Sequence, residues 1–362
     1  MPHDFPFDPA RVFGYAGELL AVERLTSGHI NSTYKLKFAG AADLVLQKIN
    51  TAVFSDVDGL MDNIFAVTEH IDARLKESGG DHERGCLHFL RTADGEKYHR
   101  DEEGGCWRAY RFVADSYTLQ RINTPLDLTR AGEAFGHFGK LLADFDGGRL
   151  NETLPDFHNT AVRFGQLLQA ASGADPIRLA NAKNALEYAA RNEGRYTRLT
   201  AMLEHGELPL RVTHNDTKLN NVVFDCATNN ALCVIDLDTV MPGLSAYDFG
   251  DAIRFGANSA AEDERDLSRV SLELELFEAY AGGYLAQAGE SLTPAERDVL
   301  AFGAWIMTVE CGMRFFADYL NGDIYFHTAY PEHNLVRARV QFALAQDMEN
   351  KMPQMEQIIR KL

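Results

Sequence analysis

The sequence is poor in cysteine and in positive charge. It has five cysteines in 362 residues, an odd number with no C-x-x-C pair, so we predict reduced thiols and neither a disulfide framework nor a zinc site. Lysine plus arginine total 35 against 53 aspartates plus glutamates, which gives a formal net charge of −18. Nucleic acids and anionic membranes both bind through basic surfaces, so we expect neither as a partner.

Long hydrophobic runs are also missing. The longest strongly apolar run is 299–309, bounded by Asp298 and Glu310, and it is shorter than the ~18–20 residues that span a bilayer. This run predicts a buried helix. The first residues show no basic segment ahead of an apolar stretch, so no signal peptide is predicted and a cytoplasmic location is expected.

The hydrophobic fraction is 46% and the charged fraction 24%, which is typical of a folded globular chain. Up to about residue 115 the sequence is rich in short alternating runs that predict strands. Predicted strands cover 20–25, 32–38, 43–49 and 107–113, and a predicted hairpin joins 86–92 to 97–99. One 3–4 spacing predicts a helix over 56–76.

The later part of the chain has mostly helical spacing. Predicted helices cover 128–145, 176–203, 295–319 and 334–348, and two short β runs cover 222–225 and 231–236. We therefore predict an α+β protein with a small β-rich domain at 1–115 and a larger, mostly helical domain at 116–362.

A polar loop between apolar runs carries the most informative residues. A hairpin over the two β runs would bring Asn221 opposite Asp236, and an amide plus a carboxylate oxygen suits Mg²⁺. Asp216 is then available as a base or as an orienting carboxylate. Lys218 is placed to neutralise a phosphoryl group during transfer.

The pattern His-x-Asp-x-Lys-x-x-Asn, followed by an Asp about twenty residues later, resembles the catalytic loop of eukaryotic-like kinases. The form HNDTKLNN…VIDLD is similar to the aminoglycoside phosphotransferase and choline kinase superfamily. Further local runs resemble bacterial N-acetylhexosamine 1-kinases, and the resemblance spans about 20–345. These runs are 28–34, 46–50, 238–243, 247–254 and 310–315.

This resemblance implies a two-lobed protein-kinase-like fold with ATP and Mg²⁺ as cofactors. It implies transfer of the ATP γ-phosphate to the anomeric hydroxyl of a small sugar, N-acetylglucosamine or N-acetylgalactosamine. Asp216 would take the hydroxyl proton, Lys218 would contact the γ-phosphate, and Asn221 and Asp236 would hold the metal. The implied nucleotide contacts are Gly28, Ile30, Asn31, Ser32, Thr33, Lys48, Arg111, Phe112 and Val113. The implied sugar contacts are His29, Asp216, Asp238, Arg314 and Tyr325.

Several residues have a structural interpretation beside the functional one. Glu69 on the predicted helix is our candidate for the acidic partner of Lys48. His214 is expected to brace its loop, as is Asp248, although Asp248-Phe249-Gly250 spells the protein-kinase metal motif. The structural interpretation of Arg314 is an ion pair with Glu310 four residues earlier.

Three other functions stay open at this point. A kinase of another small alcohol (an aminoglycoside, an amino alcohol or homoserine) would suit the negative net charge, and it would need clustered acids in its pocket. A metal-dependent sugar-ester hydrolase would work without ATP. An inactive binding module is disfavoured because Asp216, Asn221, Asp236 and Lys48 are all present.

Overall fold

The computed structural model describes residues 5–26 and 30–362. The chain forms two compact units, and the first takes its residues from 1–119, 141–155 and 221–242. The second comprises 120–140, 156–220 and 243–362. The predicted domain boundary at 115/116 stays a prediction. Two later segments of the chain belong to the first unit as well.

The elements are numbered in chain order. The strands are β1 (Glu18–Leu25), β2 (Ser32–Ala39), β3 (Leu44–Lys48), β4 (Phe89–Leu90), β5 (His99–Arg100), β6 (Cys106–Arg111), β7 (Ser116–Thr118), β8 (Arg211–Thr213), β9 (Val222–Asp225), β10 (Ala231–Val234) and β11 (Met241–Gly243). The helices are α1 (Pro9–Val12), α2 (Val57–Ser78), α3 (Pro125–Leu141), α4 (Thr160–Gly173), α5 (Pro176–Asn181), α6 (Lys183–Arg191), α7 (Arg198–Glu204), α8 (Ser245–Gly256), α9 (Leu274–Ala288), α10 (Pro294–Asp298), α11 (Leu300–Leu320) and α12 (His333–Lys361).

The first unit is built on an antiparallel sheet of order β1-β2-β3-β6-β4, with β5 also paired to β6. Alternation on the central strands places Leu36, Leu44, Leu46 and Trp107 in one buried cluster, because successive side chains of a strand point to opposite faces. Helix α2 begins where the Asp56 carboxylate accepts a hydrogen bond from a backbone N–H. The four predicted strands and the predicted helix of this region are confirmed.

The predicted hairpin over 86–99 is wrong. A turn is present, since the Thr92 N–H donates to the Glu96 carbonyl at 2.8 Å. However, β4 and β5 do not pair with each other and both pair with β6. Each is only two residues long, so the run offers too little alternation to predict its partner.

A second sheet in the first unit has the order β10-β9-β7. Within it, β9 and β10 form the predicted hairpin, with Val222 opposite Val234. The Ile235 N–H donates to the Asn221 carbonyl at 2.9 Å, one residue beyond the paired strands. The open end of this hairpin therefore brings the backbone of Asn221 beside the residue that precedes Asp236.

The second unit is mostly helical. The predicted helix over 176–203 is interrupted, and the structure divides it into α5, α6, a 3₁₀ turn and α7. The predicted buried helix at 299–309 is confirmed. The observed helix, α11, extends beyond the predicted run and has 21 residues. Among the described residues α11 alone is long and apolar enough to cross a membrane, and 83% of its most apolar window is buried within the protein.

Glycines set the distance between α8 and α11. A Cβ on Gly303 would lie 2.3 Å from the Ala246 carbonyl oxygen, and one on Gly250 would lie 2.2 Å from the Gly303 carbonyl oxygen. These separations are far below van der Waals contact, so only glycine lets the two backbones approach this closely. Asp248 lies on α8, one of these two helices.

We predict that Gly303→Ala lowers the free energy of unfolding by about 1–3 kcal/mol, because the new methyl group overpacks the α8–α11 contact. Urea denaturation measures the change. Gly165→Ala on α4 is the matched control, since a Cβ there meets nothing within 4 Å. Removing a flexible glycine from an open helix position should raise stability by about 0.5–1 kcal/mol. Equal effects from the two substitutions would contradict the close-packing argument.

Candidate active site

The loop that carries Asp216 is anchored by a carboxylate on α8. Asp248 Oδ2 accepts the His214 N–H at 2.8 Å, and Oδ1 accepts the Asn215 N–H at 2.7 Å. The Thr217 hydroxyl donates to the Asp248 carbonyl at 2.6 Å. Burial raises the pKa of Asp248, and the two backbone donors oppose that shift. The interpretation of Asp248 as a loop brace is confirmed.

A second carboxylate one turn along α8 holds the next part of the loop. The Thr217 N–H donates to Asp251 Oδ2 at 3.1 Å, and Arg254 binds Oδ1 at 3.0 and 2.7 Å. Burial alone would raise the pKa of Asp251, but the charges of Arg254 and Lys218 outweigh it and hold that pKa below its usual range. The carboxylate is therefore ionised at neutral pH.

The predicted catalytic pair is in contact. Lys218 Nζ lies 2.6 Å from Asp216 Oδ1, with 38% and 23% of the two side chains exposed. Burial alone would lower the pKa of Lys218, but Asp216 and Asp251 reverse the shift and raise that pKa. The ammonium thus stays charged, and the Asp216 carboxylate keeps access to solvent.

His214 braces the loop as predicted. Its side chain is fully buried, and its ring packs edge-on against Phe135 and Phe138 at centroid distances of 5.4 and 5.8 Å. Its Nδ1 accepts the Asp216 N–H at 3.3 Å. The packed ring thereby orients the backbone of the Asp216 residue.

Glu310 does not pair with Arg314, so the structural interpretation of that arginine is wrong. The Glu310 carboxylate accepts hydrogen bonds from His158 Nδ1 at 2.8 Å and from the Thr160 hydroxyl at 2.7 Å. The other ring nitrogen of His158 lies 3.3 Å from the Asn215 carbonyl oxygen. The buried Glu310 therefore supports the loop that carries Asp216 through a histidine 152 positions away in the sequence.

The Arg314 guanidinium faces aromatic rings. Its Cζ lies 5.4 Å from the Phe157 ring centre and 5.8 Å from that of Phe326. A second guanidinium is near, since Arg163 donates to the Phe157 carbonyl at 3.0 Å. Burial lowers the pKa of Arg163 and the Arg314 charge lowers it further, and together they outweigh the opposing effect of Glu310 and Asp156. Within the described part of the chain neither arginine forms an ion pair with an acidic side chain.

Tyr325 reaches the same neighbourhood through a loop held by Asp318. That buried carboxylate accepts the backbone N–H groups of Tyr325 at 2.8 Å and Phe326 at 2.9 Å. Tyr325 itself is 63% exposed, and its ring contacts that of Phe326 at 4.7 Å. The second unit thus brings two predicted sugar contacts, Arg314 and Tyr325, next to the same aromatic residue, Phe326.

Asn221 and Asp236 lie in the first unit, at the open end of the β9–β10 hairpin. Asn221 is buried, whereas Asp236 is exposed and has a left-handed backbone with φ of 64°. An L-residue other than Asn or Asp is strained there. Both side chains offer hard oxygen donors at adjoining strand ends, and that donor set fits Mg²⁺.

Lys48 ends β3 opposite Trp107 of β6. Its Nζ lies 5.4 Å from the Trp107 ring centre. Burial alone would raise the pKa of Asp101, but three hydrogen bonds and the Lys48 charge together lower it. Glu69, our candidate partner, binds Arg91 at 3.2 Å instead. Asp101 is therefore an acidic neighbour of Lys48.

Asp238 is committed to a buried network in the first unit. One carboxylate oxygen forms an ion pair with the fully buried Arg108, and the other accepts from the Asn31 side chain. Burial alone would lower the pKa of Arg108, but Asp238 raises it. The Asn31 amide oxygen accepts the Asn50 N–H at 2.9 Å. A sugar contact by Asp238 stays a prediction.

The other predicted nucleotide contacts are spread along the first unit. Ser32 and Thr33 begin β2, opposite Lys48 and Gln47 of β3, and Ile30 just before them is exposed. Lys35 Nζ lies 3.5 Å above the ring of Phe112. Arg111 ends β6 and forms an ion pair with Glu83. The Val113 carbonyl accepts a hydrogen bond from the Ser116 hydroxyl. Gly28, and the predicted sugar contact His29, lie outside the described residues.

Comparison with known proteins decides the family. A profile described as "Phosphotransferase enzyme family" matches residues 21–295. The chain belongs to the phosphotransferase enzyme family. The predicted fold class is confirmed with it, because the antiparallel first unit and helical second unit are those of the protein-kinase-like fold of this family.

Solved structures agree on the fold. An aminoglycoside phosphotransferase from Alicyclobacillus acidocaldarius matches with a TM-score of 0.64 at 14% identity, covering 99% of this chain and 98% of that one. A choline kinase from Cryptosporidium parvum matches at 0.56 and 14% identity, covering 96% and 92%. An amicoumacin kinase solved with AMP-PNP and Ca²⁺ matches at 0.53 and 13% identity, covering 95% and 90%.

Sequence reasoning missed several residues that the structure brings into the site. Asp251 could have been found from its i, i+3 spacing to Arg254. The pairing of His158 with Glu310 had a weaker signal, namely an acid inside an apolar run, which requires a buried partner. Arg163 had no signal, because nothing local distinguishes it from a surface arginine.

We predict that Asp251→Asn lowers the free energy of unfolding by about 3–5 kcal/mol at pH 7, because Arg254 loses its buried partner. Glu262→Gln is the matched control. Glu262 also faces Arg254, at 3.8 Å, but it is 42% exposed, so its loss should cost less than about 1 kcal/mol. Urea denaturation distinguishes the two variants, and equal losses would contradict the assigned anchor.

The pH dependence follows from the lowered pKa of Asp251. A carboxyl whose folded pKa lies below its unfolded value stabilises the fold above the unfolded pKa and loses that contribution as pH falls through the folded pKa. The stability gap between wild type and Asp251→Asn should thus stay constant down to about pH 5 and shrink below about pH 4. A gap that grows on acidification would contradict this sign.

Proposed function

We propose that this protein is an ATP- and Mg²⁺-dependent kinase of N-acetylhexosamines that phosphorylates the anomeric hydroxyl. The family supplies the reaction class, phosphoryl transfer from ATP to a small molecule. The observation that supports the acceptor class is the Arg314 guanidinium, which lies near Arg163 and faces the rings of Phe157 and Phe326.

Asp216 is the proposed base. Its carboxylate is partly exposed, and its backbone is held by the packed His214 ring. In this role Asp216 orients the acceptor hydroxyl and takes its proton as the oxygen attacks the γ-phosphorus. Lys218, ion-paired to Asp216, neutralises charge on the transferring group. Positioning and charge neutralisation then supply most of the rate enhancement.

Asn221 and Asp236 are the proposed metal ligands. When bound, Mg²⁺ neutralises the ATP phosphates and orients the γ-phosphoryl group. Lys48 would pair the α- and β-phosphates from the end of β3. The solved amicoumacin kinase, which holds AMP-PNP and Ca²⁺, supports a nucleotide together with a divalent cation in this fold.

The acceptor class follows from charge. An ammonium group on an amino alcohol or an aminoglycoside needs carboxylates around it, and two neighbouring guanidiniums repel it. An N-acetylhexosamine is neutral, and its hydroxyl and amide oxygens accept hydrogen bonds from arginine. Phe157, Phe326 and Tyr325 offer apolar faces for a sugar ring. Choline and aminoglycosides, the substrates named for two structural relatives, therefore suit this acceptor region poorly.

We predict that ATP turnover is stimulated by N-acetylglucosamine or N-acetylgalactosamine and not by choline, ethanolamine or kanamycin. Phosphorus NMR of the product reports both transfer and the phosphorylated position. Arg314→Gln should raise the sugar KM roughly tenfold, the equivalent of about 1.4 kcal/mol. Arg265→Gln, at an exposed arginine stacked on Tyr330, should leave KM unchanged. Turnover driven only by a cationic acceptor would overturn the proposed acceptor class.

We predict that Asp216→Asn lowers kcat by about 10²–10⁴, because an amide cannot take the hydroxyl proton. ATP affinity should stay within about threefold of wild type, since the proposed nucleotide ligands are elsewhere. A coupled ADP-release assay and titration with a fluorescent ATP analogue measure the two effects. Asp298→Asn, at an exposed helix end, is the control, and retained turnover in Asp216→Asn refutes the base.

A further inference from the structure

A line of polar side chains runs across the sheet of the first unit. Thr33 on β2 lies opposite Gln47 on β3, which lies opposite Arg108 on β6. Gln47 Nε2 donates to the Thr33 hydroxyl oxygen at 3.1 Å, and Arg108 Nε donates to Gln47 Oε1 at 3.0 Å. Gln47 and Arg108 are both buried. Because opposite residues of paired strands share a face, the three side chains stand on one face of the sheet.

The line continues through Asp238 to the beginning of β2. The Asp238 carboxylate pairs with the Arg108 guanidinium through one oxygen and accepts from the Asn31 side chain through the other. The Asn31 amide oxygen accepts the Asn50 N–H at 2.9 Å, and the Asn50 side chain donates to the Ile30 carbonyl at 3.4 Å. The contacts thus return to the strand on which they began. The Arg108 network comprises Asn31, Thr33, Gln47, Arg108 and Asp238.

Arg108 is the cation of this network. Its side chain is 2% exposed and that of Asp238 is 4% exposed, so each charge is stable only beside the other. Burial alone would lower the pKa of Arg108, but Asp238 raises it, with smaller contributions from Tyr110 and Asp236. Asp236 is a proposed metal ligand, so the buried guanidinium acts electrostatically on the metal site as well.

Lys48 stands on the other face of the same sheet. It follows Gln47 on β3 and lies opposite Trp107, whose ring belongs to the buried cluster with Leu46. Successive side chains of a strand alternate between faces, so Lys48 and Arg108 lie on different sides of the sheet. Arg108 is therefore a second cation beside the proposed nucleotide contacts, one to which sequence analysis assigned no role.

We propose that Arg108 is a positioning residue for nucleotide binding, which acts through Gln47 and Asp238 on the segment 30–33. The inference rests on the proposed function, because it takes this segment and Asp236 as parts of the ATP and metal site. A planar guanidinium binds two partners in fixed directions, as it does here with Gln47 and Asp238.

The network would raise ATP affinity by preorganisation. The side chains of Asn31 and Thr33, two of the proposed nucleotide contacts, are both engaged in it. The segment is therefore held in one conformation before ATP arrives, and less conformational entropy is lost on binding. A lysine at position 108 would keep the charge, but a single ammonium cannot reproduce the two fixed directions.

The test is equilibrium binding of a fluorescent ATP analogue to the full-length protein with Mg²⁺ and without acceptor. Arg108→Lys should raise the dissociation constant roughly tenfold. Gln47→Leu removes the link to Thr33 and keeps the Arg108–Asp238 pair, so it should raise the dissociation constant at least about threefold. This second variant covers an Arg108 variant that fails to fold. Wild-type affinity in the variants that fold would overturn the proposal.

Leu36→Ala is the matched control. Leu36 lies on β2 with Thr33, is fully buried and faces the other side of the sheet, so its truncation lowers stability without touching the network. Its nucleotide affinity should match that of wild type. A loss of affinity as large as that of Arg108→Lys would show that affinity merely follows stability, and it would overturn the positioning role.

Steady-state kinetics separates this role from that of a sugar contact. Arg108→Lys should raise the KM for ATP and leave the KM for the sugar unchanged. A raised sugar KM with an unchanged ATP KM would assign Asp238 to the acceptor and refute the nucleotide role of Arg108. The titration needs no acceptor, so a sugar that is not phosphorylated would overturn the proposed function and leave the binding result standing.

Discussion

The loop that carries Asp216 depends on two ionisable side chains of α8. Asp248 and Asp251 accept three backbone N–H groups from residues 214–217. Buried backbone donors without acceptors are costly, so the loop conformation persists only where such oxygens are supplied. The partly exposed Asp216 side chain is then positioned through the backbone of its loop.

The first unit also contains a buried charge that holds separate segments together, the guanidinium of Arg108. Arg108 is buried on β6 and holds Asp238, which in turn binds Asn31 near the start of β2. Gln47 on β3 accepts from the same guanidinium at 3.0 Å. One buried cation thus joins two adjacent strands to the segment that follows the β9–β10 hairpin, and removal of Asp238 would leave the guanidinium charge uncompensated.

Much of this architecture could be predicted from local patterns. Alternation identified β1, β2, β3 and β6, and the spacing of polar residues identified the loop and its hairpin. Contacts between distant residues were not predictable. Glu310 was assigned to Arg314 because i, i+4 pairs are frequent on helices, whereas its partner His158 lies in a segment whose position depends on the whole second unit.

The two-residue strands β4 and β5 illustrate a different limit. Their sequence predicted a turn correctly, and the turn forms between Thr92 and Glu96. Which edge a short strand joins is decided by the available neighbour, here β6, and not by its own side chains. The same limit applies to Lys48. Its acidic neighbour Asp101 directly follows β5, whereas we expected an acidic partner on α2.

The close approach of α8 and α11 has an evolutionary consequence. Gly250 and Gly303 bring the two backbones into contact, so the helix that anchors the catalytic loop and the helix that carries Arg314 cannot shift against each other. An exchange of a side chain on α11 would therefore change the surroundings of position 314 without moving the backbone that carries Asp248. Relatives that keep this helix packing should retain glycine at 250 and 303, whichever side chain they carry at 314.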